Sequence, residues 1–273
     1  MSTVAPERPS STKPATLGAG RRAGAAGRSF AVLLILPVVL VLLWALVATL
    51  VDSLVFPGPL EALGGTVDDL GDEGYRASML TSLRLLLVAW LMAAVVGGLI
   101  GFLLGQSAFW TRVFSTPLFA FYSIPKVTLY PVFLLLLGLG EASRVAFAFF
   151  HGVFPMALLV MGATAALDPK LVRLSAALEL SWWQRLTKVV LPALMPTVLL
   201  ALRISFGLTF LGLVLAEMFS SDTGLGHELV ANVANVRVDR IAGQVVLIAL
   251  LAIGPVLALL GLERRVKARA GIR

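Results

Sequence analysis

The sequence of 273 residues contains no cysteine, only two histidines and few charged side chains, because Asp, Glu, Lys and Arg make up 14% of it. The absence of cysteine excludes disulfide bonds, thiolate metal ligands and a thiol nucleophile. With 59% hydrophobic residues and a mean hydropathy of +0.95, the composition also excludes an ordinary soluble domain. The sequence therefore predicts a protein that lies in a lipid bilayer.

Common enzyme motifs are missing as well. The chain has no Gly-x-Ser-x-Gly elbow, no His-Glu-x-x-His pair and no phosphate-binding P-loop, so we expect neither ATP hydrolysis nor a bound cofactor. The string Asp68, Asp69 and Asp72 has the spacing of a magnesium diphosphate site. It has no second acidic cluster to face and lies in an acidic connection, so we interpret it as a solvated loop.

Long apolar runs predict an all-α polytopic membrane protein with six transmembrane helices. Residues 1–29 have the composition of a disordered basic tail, and residues 267–273 form a second basic tail. The polar residues 52–82 are predicted to connect the first two spans. Within a membrane domain over 30–266, the predicted spans are 30–51, 85–104, 113–139, 145–167, 189–219 and 241–262.

Two of these spans carry patterns beyond hydrophobicity. Gly97, Gly101 and Gly105 share one face of the second span, which predicts close packing against another helix in the lipid. The third span contains three prolines and a lysine, a pattern typical of a kinked helix that packs against protein or lines a cavity. The candidate residues of a translocation path are Tyr122, Lys126, Tyr130, His151 and Arg203.

Each candidate has a structural alternative. His151 fits a packed, hydrogen-bonded side chain better than a proton relay, and Arg203 fits a packing role. Lys126 either faces a passing anion or extends its aliphatic stem to the membrane surface. We find no intramembrane carboxylate at the depth of the two basic residues, so we expect no ion pair for either.

Lysine and arginine are distributed unevenly along the chain. Fifteen of the 22 lie in residues 1–29, at Arg112, in residues 168–188 and after Leu262, whereas four lie in the connections of the other side. By the positive-inside rule, both termini and residues 168–188 are cytoplasmic, in a multi-pass membrane protein. The positive charge is therefore a signal of orientation, and we expect no nucleic-acid partner.

The segment from Asp168 to Pro192 is a polar island between two apolar spans. Asp168 followed by proline predicts an N-cap and a helix start, and leucines at helical spacing make this helix amphipathic. Ser181 and Gln184 have the spacing of a capping box, which predicts a second helix. The pair is either a helix-turn-helix outside the bilayer or an amphipathic helix resting on lipid headgroups, anchored by tryptophan.

The chain resembles the permease subunits of ABC importers for sulfonates, taurine, nitrate and thiamine-type pyrimidines. The similarity runs from about Phe56 to about Val266. It rests on ordered segments: FPGPLEAL from Phe56, TSLRLLL from Thr81, IPKVTLYPVFLLLLGLGEASR from Ile124, ALRISFG from Ala201, AEMFSSDTGLGHEL from Ala216 and LERR from Leu262.

The cytoplasmic loop of that family carries Glu-Ala-Ala, three residues, Gly, nine residues and Ile-x-Leu-Pro. Aligned on Leu191 and Pro192, the family glutamate falls on Arg173 and the family glycine on Glu179. Both residues are therefore replaced, while the rest of the pattern remains. The residues that the resemblance assigns to ATPase coupling are Asp168, Arg173, Leu174, Leu178, Glu179, Ser181, Trp183, Gln184, Leu191 and Pro192.

The resemblance implies the permease fold of type I ABC importers and a transport subunit without enzyme activity. It implies separate ATPase subunits that use ATP and Mg²⁺, a second permease chain and an extracytoplasmic solute-binding protein. A secondary carrier, which needs inverted repeats and intramembrane carboxylates, and a membrane-embedded enzyme are the alternatives.

Overall fold

The computed structural model describes residues 19–51 and 56–269, and these residues contain helices and turns but no strand. Their clustering gives two compact units, Met1–Pro59 and Leu60–Arg273. The helices are α1 (Ala19–Val51), α2 (Pro59–Gly71), α3 (Glu73–Gly105), α4 (Ala108–Ser123), α5 (Tyr130–Leu137), α6 (Glu141–Ala165), α7 (Pro169–Ala177), α8 (Trp182–Arg185), α9 (Leu191–Ser220), α10 (Leu225–Ala234) and α11 (Val238–Arg269). The predicted all-α class is confirmed.

The described residues contain four helical stretches that are long and apolar enough to cross a membrane: Glu73–Gly105, Glu141–Ala165, Trp182–Ser220 and Arg240–Ala268. A fifth span results if Ala108–Ser123 and Lys126–Leu137, which meet at 84°, count as one. Within α1, Ile35–Val51 is apolar but shorter. A count of six spans agrees with these helices when α1 is included, and it stays a prediction.

The first unit contains α1, which begins well before the predicted span. Residues 19–29 belong to this helix, so the predicted tail over 1–29 is wrong for that part, and residues 1–18 lie outside the described residues. Alanine and arginine dominate the extension and are strong helix formers, so the helix continues past its apolar run. At its other end, the Trp44 indole donates a hydrogen bond to the Pro57 carbonyl at 3.1 Å.

The connection predicted over residues 52–82 contains α2 and the first turns of α3, and Asp69 in it is fully buried. Its carboxylate is 3.2 Å from the Arg240 guanidinium of α11. Thr66 of α2 donates to the Gly243 carbonyl of α11 at 2.9 Å. The interpretation of this string as a solvated loop is therefore wrong for Asp69, because a long-range ion pair and packing on α11 bury it. Residues 52–55 lie outside the described residues.

The boundaries of the other spans also differ from the prediction. The third is broken after Ser123, where Pro125 precedes a 3-10 turn over Lys126–Leu129, because proline cannot continue the hydrogen-bond ladder. The fifth begins at Trp182 and continues through a π-helical turn, Leu186–Val190, into α9. Helix α11 extends to Arg269, so the predicted tail is partly helical, and residues 270–273 lie outside the described residues.

Helix α6 lies at the centre of the second unit, between α3 and α9. One core cluster joins Leu85, Leu86 and Ala89 of α3 to Ala148 of α6 and to Phe206, Phe210 and Leu213 of α9. The Trp90 ring packs edge-on against Phe206, with ring centroids 5.4 Å apart. These contacts hold α3, α6 and α9 together.

The glycine stripe of α3 forms the contact with α6. A Cβ atom at Gly97 would lie 2.6 Å from the Val153 carbonyl oxygen, and one at Gly101 would lie 2.4 Å from the Ala157 carbonyl oxygen. Distances below 3.0 Å are too short for a carbon atom, so only glycine permits this approach. The prediction of a packing face is confirmed.

Candidate functional site

The polar island forms two short helices joined by a tight turn. The Asp168 carboxylate caps α7 by accepting a hydrogen bond from the Lys170 amide at 2.8 Å. Helix α7 ends in a Schellman turn, in which Leu180 N donates to the Ser175 carbonyl at 3.1 Å and Glu179 N to the Ala176 carbonyl at 3.0 Å. Glu179 occupies the left-handed position of this turn, with φ of 51°.

Helix α8 begins with the predicted capping box. The Gln184 amide N–H donates to Ser181 Oγ at 3.3 Å, and the Ser181 amide N–H donates to Gln184 Oε1 at 3.1 Å. The helix then passes through the π-helical turn into α9, with Leu191 and Pro192 in the first turn. Because no loop intervenes, a force applied to α8 is transmitted directly to a membrane-spanning helix.

The two helices present an exposed apolar surface, which we define as Leu174, Leu178, Trp182 and Trp183. Their exposed fractions are 57%, 62%, 70% and 64%. Arg173 is exposed beside them and makes no ion pair within the described residues. A charged residue next to large exposed apolar side chains is the composition of a protein interface.

The path candidates on the broken third span are held by neighbouring groups. Lys126 is 9% exposed, and its ammonium group donates to the Tyr122 carbonyl at 2.8 Å and lies 5.0 Å from the centroid of the Tyr122 ring. The Tyr130 hydroxyl is 2.7 Å from Ser220 Oγ of α9. The buried lysine thus has one backbone acceptor and one aromatic face, and no carboxylate pairs with it among the described residues.

His151 lies in the middle of α6 and is buried against α9. Its Nδ1 donates to the Phe147 carbonyl at 3.0 Å, and its ring packs edge-on against Phe147 with centroids 4.5 Å apart. A Cβ atom at Gly212 would lie 2.7 Å from the imidazole. This is the packed, hydrogen-bonded arrangement that the sequence favours for a lone intramembrane histidine.

Residues 93–271 match the family described as the binding-protein-dependent transport system inner membrane component. This match covers more than half of the chain. The chain belongs to this family. It is a permease subunit of a binding-protein-dependent transport system and a multi-pass membrane protein, so it is a transport subunit and not an enzyme.

Individual relatives agree with the family. The candidate aliphatic sulfonates transport permease SsuC of Bacillus subtilis is 29% identical over 205 residues, covering 71% of each chain. The taurine transport permease TauC of Escherichia coli is 26% identical over 234 residues, covering 83% of this chain and 85% of its own. The nitrate import permease NrtB of Synechococcus elongatus is 25% identical over 222 residues, covering 78% of this chain and 79% of its own.

Arg203 of the permease is paired, contrary to the expectation from the sequence. Its guanidinium lies 3.6 Å from the Glu263 carboxylate of α11, and that carboxylate also accepts a hydrogen bond from Lys267 at 2.8 Å. Arg203 and Glu263 lie on different helices and far apart in the sequence, so no local pattern joins them. The arrangement gives Arg203 a role in fastening α11 to α9.

A second carboxylate of the permease was missed because it stands alone near the end of an apolar run. Glu217 of α9 is 1% exposed, accepts from Ser82 Oγ at 2.7 Å and accepts from the Gly226 amide at 3.0 Å. Glu217 is therefore a buried carboxylate within the predicted span 189–219. The position of Glu217 within the family segment that begins at Ala216 was the available signal.

Proposed function

We propose that this permease forms the translocation path of an ATP-driven importer and that residues 168–188 are its docking element for an ABC ATPase. The single observation that carries the proposal is the exposed apolar surface on a helix pair that continues without a loop into α9. Movement of the docked pair would rotate or shift that span. ATP and Mg²⁺ are then used by the ATPase, since this chain has no motif to bind them.

The exposed leucines and tryptophans support docking in a protein cleft over rest on a lipid surface. Leu174 on α7 and Leu178 at its C-cap lie one helical turn apart, and Trp183 follows on α8, so three large side chains face outward from a compact element. Small interfaces depend on a few such anchors that become fully desolvated. The capping box and the Schellman turn fix the relative position of these anchors before binding, which lowers the entropic cost of docking.

We further propose the orientation that the charge distribution predicts, with the docking element and both termini in the cytoplasm. The ATPases, a second permease chain of the same or another sequence, and an extracytoplasmic solute-binding protein complete the importer. Copurification in mild detergent tests this composition. Recovery of the permease with an ATPase and a second permease chain supports the proposal, and recovery of an active transporter made only of this chain contradicts it.

We propose a small anion as the solute, because the named relatives carry sulfonates, taurine and nitrate and because Lys126 is a buried cation on the broken third span. A charged hydrogen bond contributes about 1.5–3 kcal/mol. Lys126→Met should therefore lower uptake of an anionic solute at least about tenfold, measured in vesicles at subsaturating concentration.

The matched control is Lys126→Arg, which keeps the positive charge and should retain most of the anion uptake. Uptake of a neutral competitor should change little in either variant. Equal uptake by wild type and Lys126→Met, with the same preference for anionic over neutral solutes, would remove the anion path and leave the ATPase docking proposal intact.

A further inference from the structure

We infer that the permease holds an anionic phospholipid headgroup in a basic cavity beside the docking element, an inference that rests on the proposed orientation. The cavity has a volume of about 720 Å³ and lies where the end of α3, the start of α4, the end of α6 and α8 meet. Its charged lining residues are Arg112 of α4 and Arg185 of α8, and no carboxylate lines it.

Neither arginine of this cavity is neutralised by a carboxylate within the described residues. Arg112 Nε donates to the Ala108 carbonyl at 3.2 Å, which leaves its two terminal nitrogens for a ligand. The start of α4 adds the positive end of a helix dipole, and its N-cap Ser107 makes no side-chain cap hydrogen bond to the first-turn amides. The cavity thus attracts an anion, and a phosphate matches the planar fork of arginine well.

The rest of the lining favours a lipid over a free phosphate ion. Phe102, Leu186 and Val190 give the cavity an apolar side, whereas Gln106 gives it a hydrogen-bonding amide. A phospholipid has the same division between polar headgroup and acyl chain. The volume of the cavity exceeds that of a phosphate ion several-fold, so a free ion would leave most of the cavity filled with water.

The surroundings place this cavity at the level of lipid headgroups. Ala108 lines it, and the next two residues, Phe109 and Trp110, are exposed on the first turn of α4. Tryptophan and other aromatic residues concentrate at the membrane interface. In the proposed orientation this is the cytoplasmic leaflet, whose anionic lipids are attracted to basic cavities between membrane helices.

Native mass spectrometry of the importer, with its ATPase bound and titrated with phosphatidylglycerol or phosphatidylcholine, tests the inference. We expect each permease chain to retain one phosphatidylglycerol more tightly than any phosphatidylcholine. Arg112→Gln and Arg185→Gln should each weaken its retention about fivefold, and the double variant about 25-fold. Arg112→Lys and Arg185→Lys keep the charge but lose the planar fork, so they should retain more phosphatidylglycerol than the glutamine variants and less than wild type, which separates lost charge from misfolding.

The control is Arg265→Gln, which removes an exposed arginine of α11 that does not line the cavity. Its lipid retention should equal that of wild type. Equal loss in this control would mean diffuse charge attraction, and no preference for phosphatidylglycerol in wild type would mean an empty or water-filled cavity. Either result overturns the inference.

Two further measurements distinguish a bound lipid from a free anion and from a subunit interface. Soluble glycerol phosphate should not displace phosphatidylglycerol at equal concentration, and displacement would make this a site for a free anion. If the permease chain alone binds the lipid but the complex with the ATPase excludes it, the cavity is a subunit interface and the inference fails. In all these cases ATP-driven uptake is measured in parallel, so a failed lipid site is distinguishable from a failed importer assignment.

Discussion

Replacing Gly101 by alanine tests the central helix contact of the membrane unit. The added Cβ would lie 2.4 Å from the Ala157 carbonyl oxygen and 2.9 Å from the Met161 amide nitrogen. Ordinary contact begins at 3.4 Å, so α3 and α6 would have to separate by roughly 1 Å along this face. The atoms in conflict belong to helix backbone and cannot rotate away, which places the expected cost at the upper end of the range for overpacking, about 3 kcal/mol.

Thermal unfolding of the purified permease in detergent, followed by tryptophan fluorescence, measures this cost. We expect Gly101→Ala to lower the midpoint by about 6–12 °C. Gly98→Ala is the matched control, because its nearest new neighbour is the flexible end of Met156 at 3.4 Å. Alanine is the better helix former, so this control should unfold at or slightly above the wild-type temperature.

The comparison of the two variants decides whether the glycine stripe of α3 stabilises the permease by allowing close contact with α6. If Gly101→Ala unfolds at the wild-type temperature, the close approach of α3 to α6 is wrong. If Gly98→Ala is destabilised equally, glycine matters through backbone conformation and not through packing.

Two further predictions follow from the turn and the orientation. Glu179→Gly removes a side chain from a left-handed backbone position that costs an L residue about 1–2 kcal/mol. Hydrogen exchange at the Leu178 and Leu180 amides should therefore slow several-fold in this variant, whereas Glu179→Ala should change the exchange rates little. Faster exchange in the glycine variant would contradict the proposed backbone strain at Glu179. Since the chain has no cysteine, Asp68→Cys and Arg265→Cys each introduce a single labelling site. A membrane-impermeant thiol reagent applied from outside should modify only the cysteine of the Asp68 variant. Labelling of both variants from one side would contradict the orientation.

The helix caps of the polar island and the glycine packing face of α3 were predictable from local sequence patterns. Asp168, Ser181 and Gln184 bond within three residues of themselves, so their spacing alone identifies the geometry. The glycine stripe has the period of one helix face, which the sequence displays directly. The two helices of the polar island were therefore predictable residue by residue, whereas the geometry of the turn between them was not.

Long-range ion pairs were not predictable in this way. Asp69 pairs with Arg240, and Arg203 pairs with Glu263, across helices whose order in space the sequence alone does not give. The left-handed backbone at Glu179 was also not predictable from the residue itself, because glutamate rarely adopts a positive φ. Only the alignment of the family glycine with Glu179 indicated that position, and the φ of 51° supplies the physical reason for glycine there.

The most direct test of the proposed coupling is Leu178→Asp in the reconstituted importer. Leu178 is 62% exposed on the docking element, and loss of a buried apolar anchor typically costs at least about 2 kcal/mol of binding, which corresponds to a roughly 30-fold weaker complex. The control is Leu60→Asp, an equally polar change at a leucine of α2 that is 83% exposed. ATPase retention and ATP-driven uptake should both fall in Leu178→Asp and persist in Leu60→Asp. Wild-type ATPase retention and uptake in Leu178→Asp would contradict the assignment of residues 168–188 as the docking element.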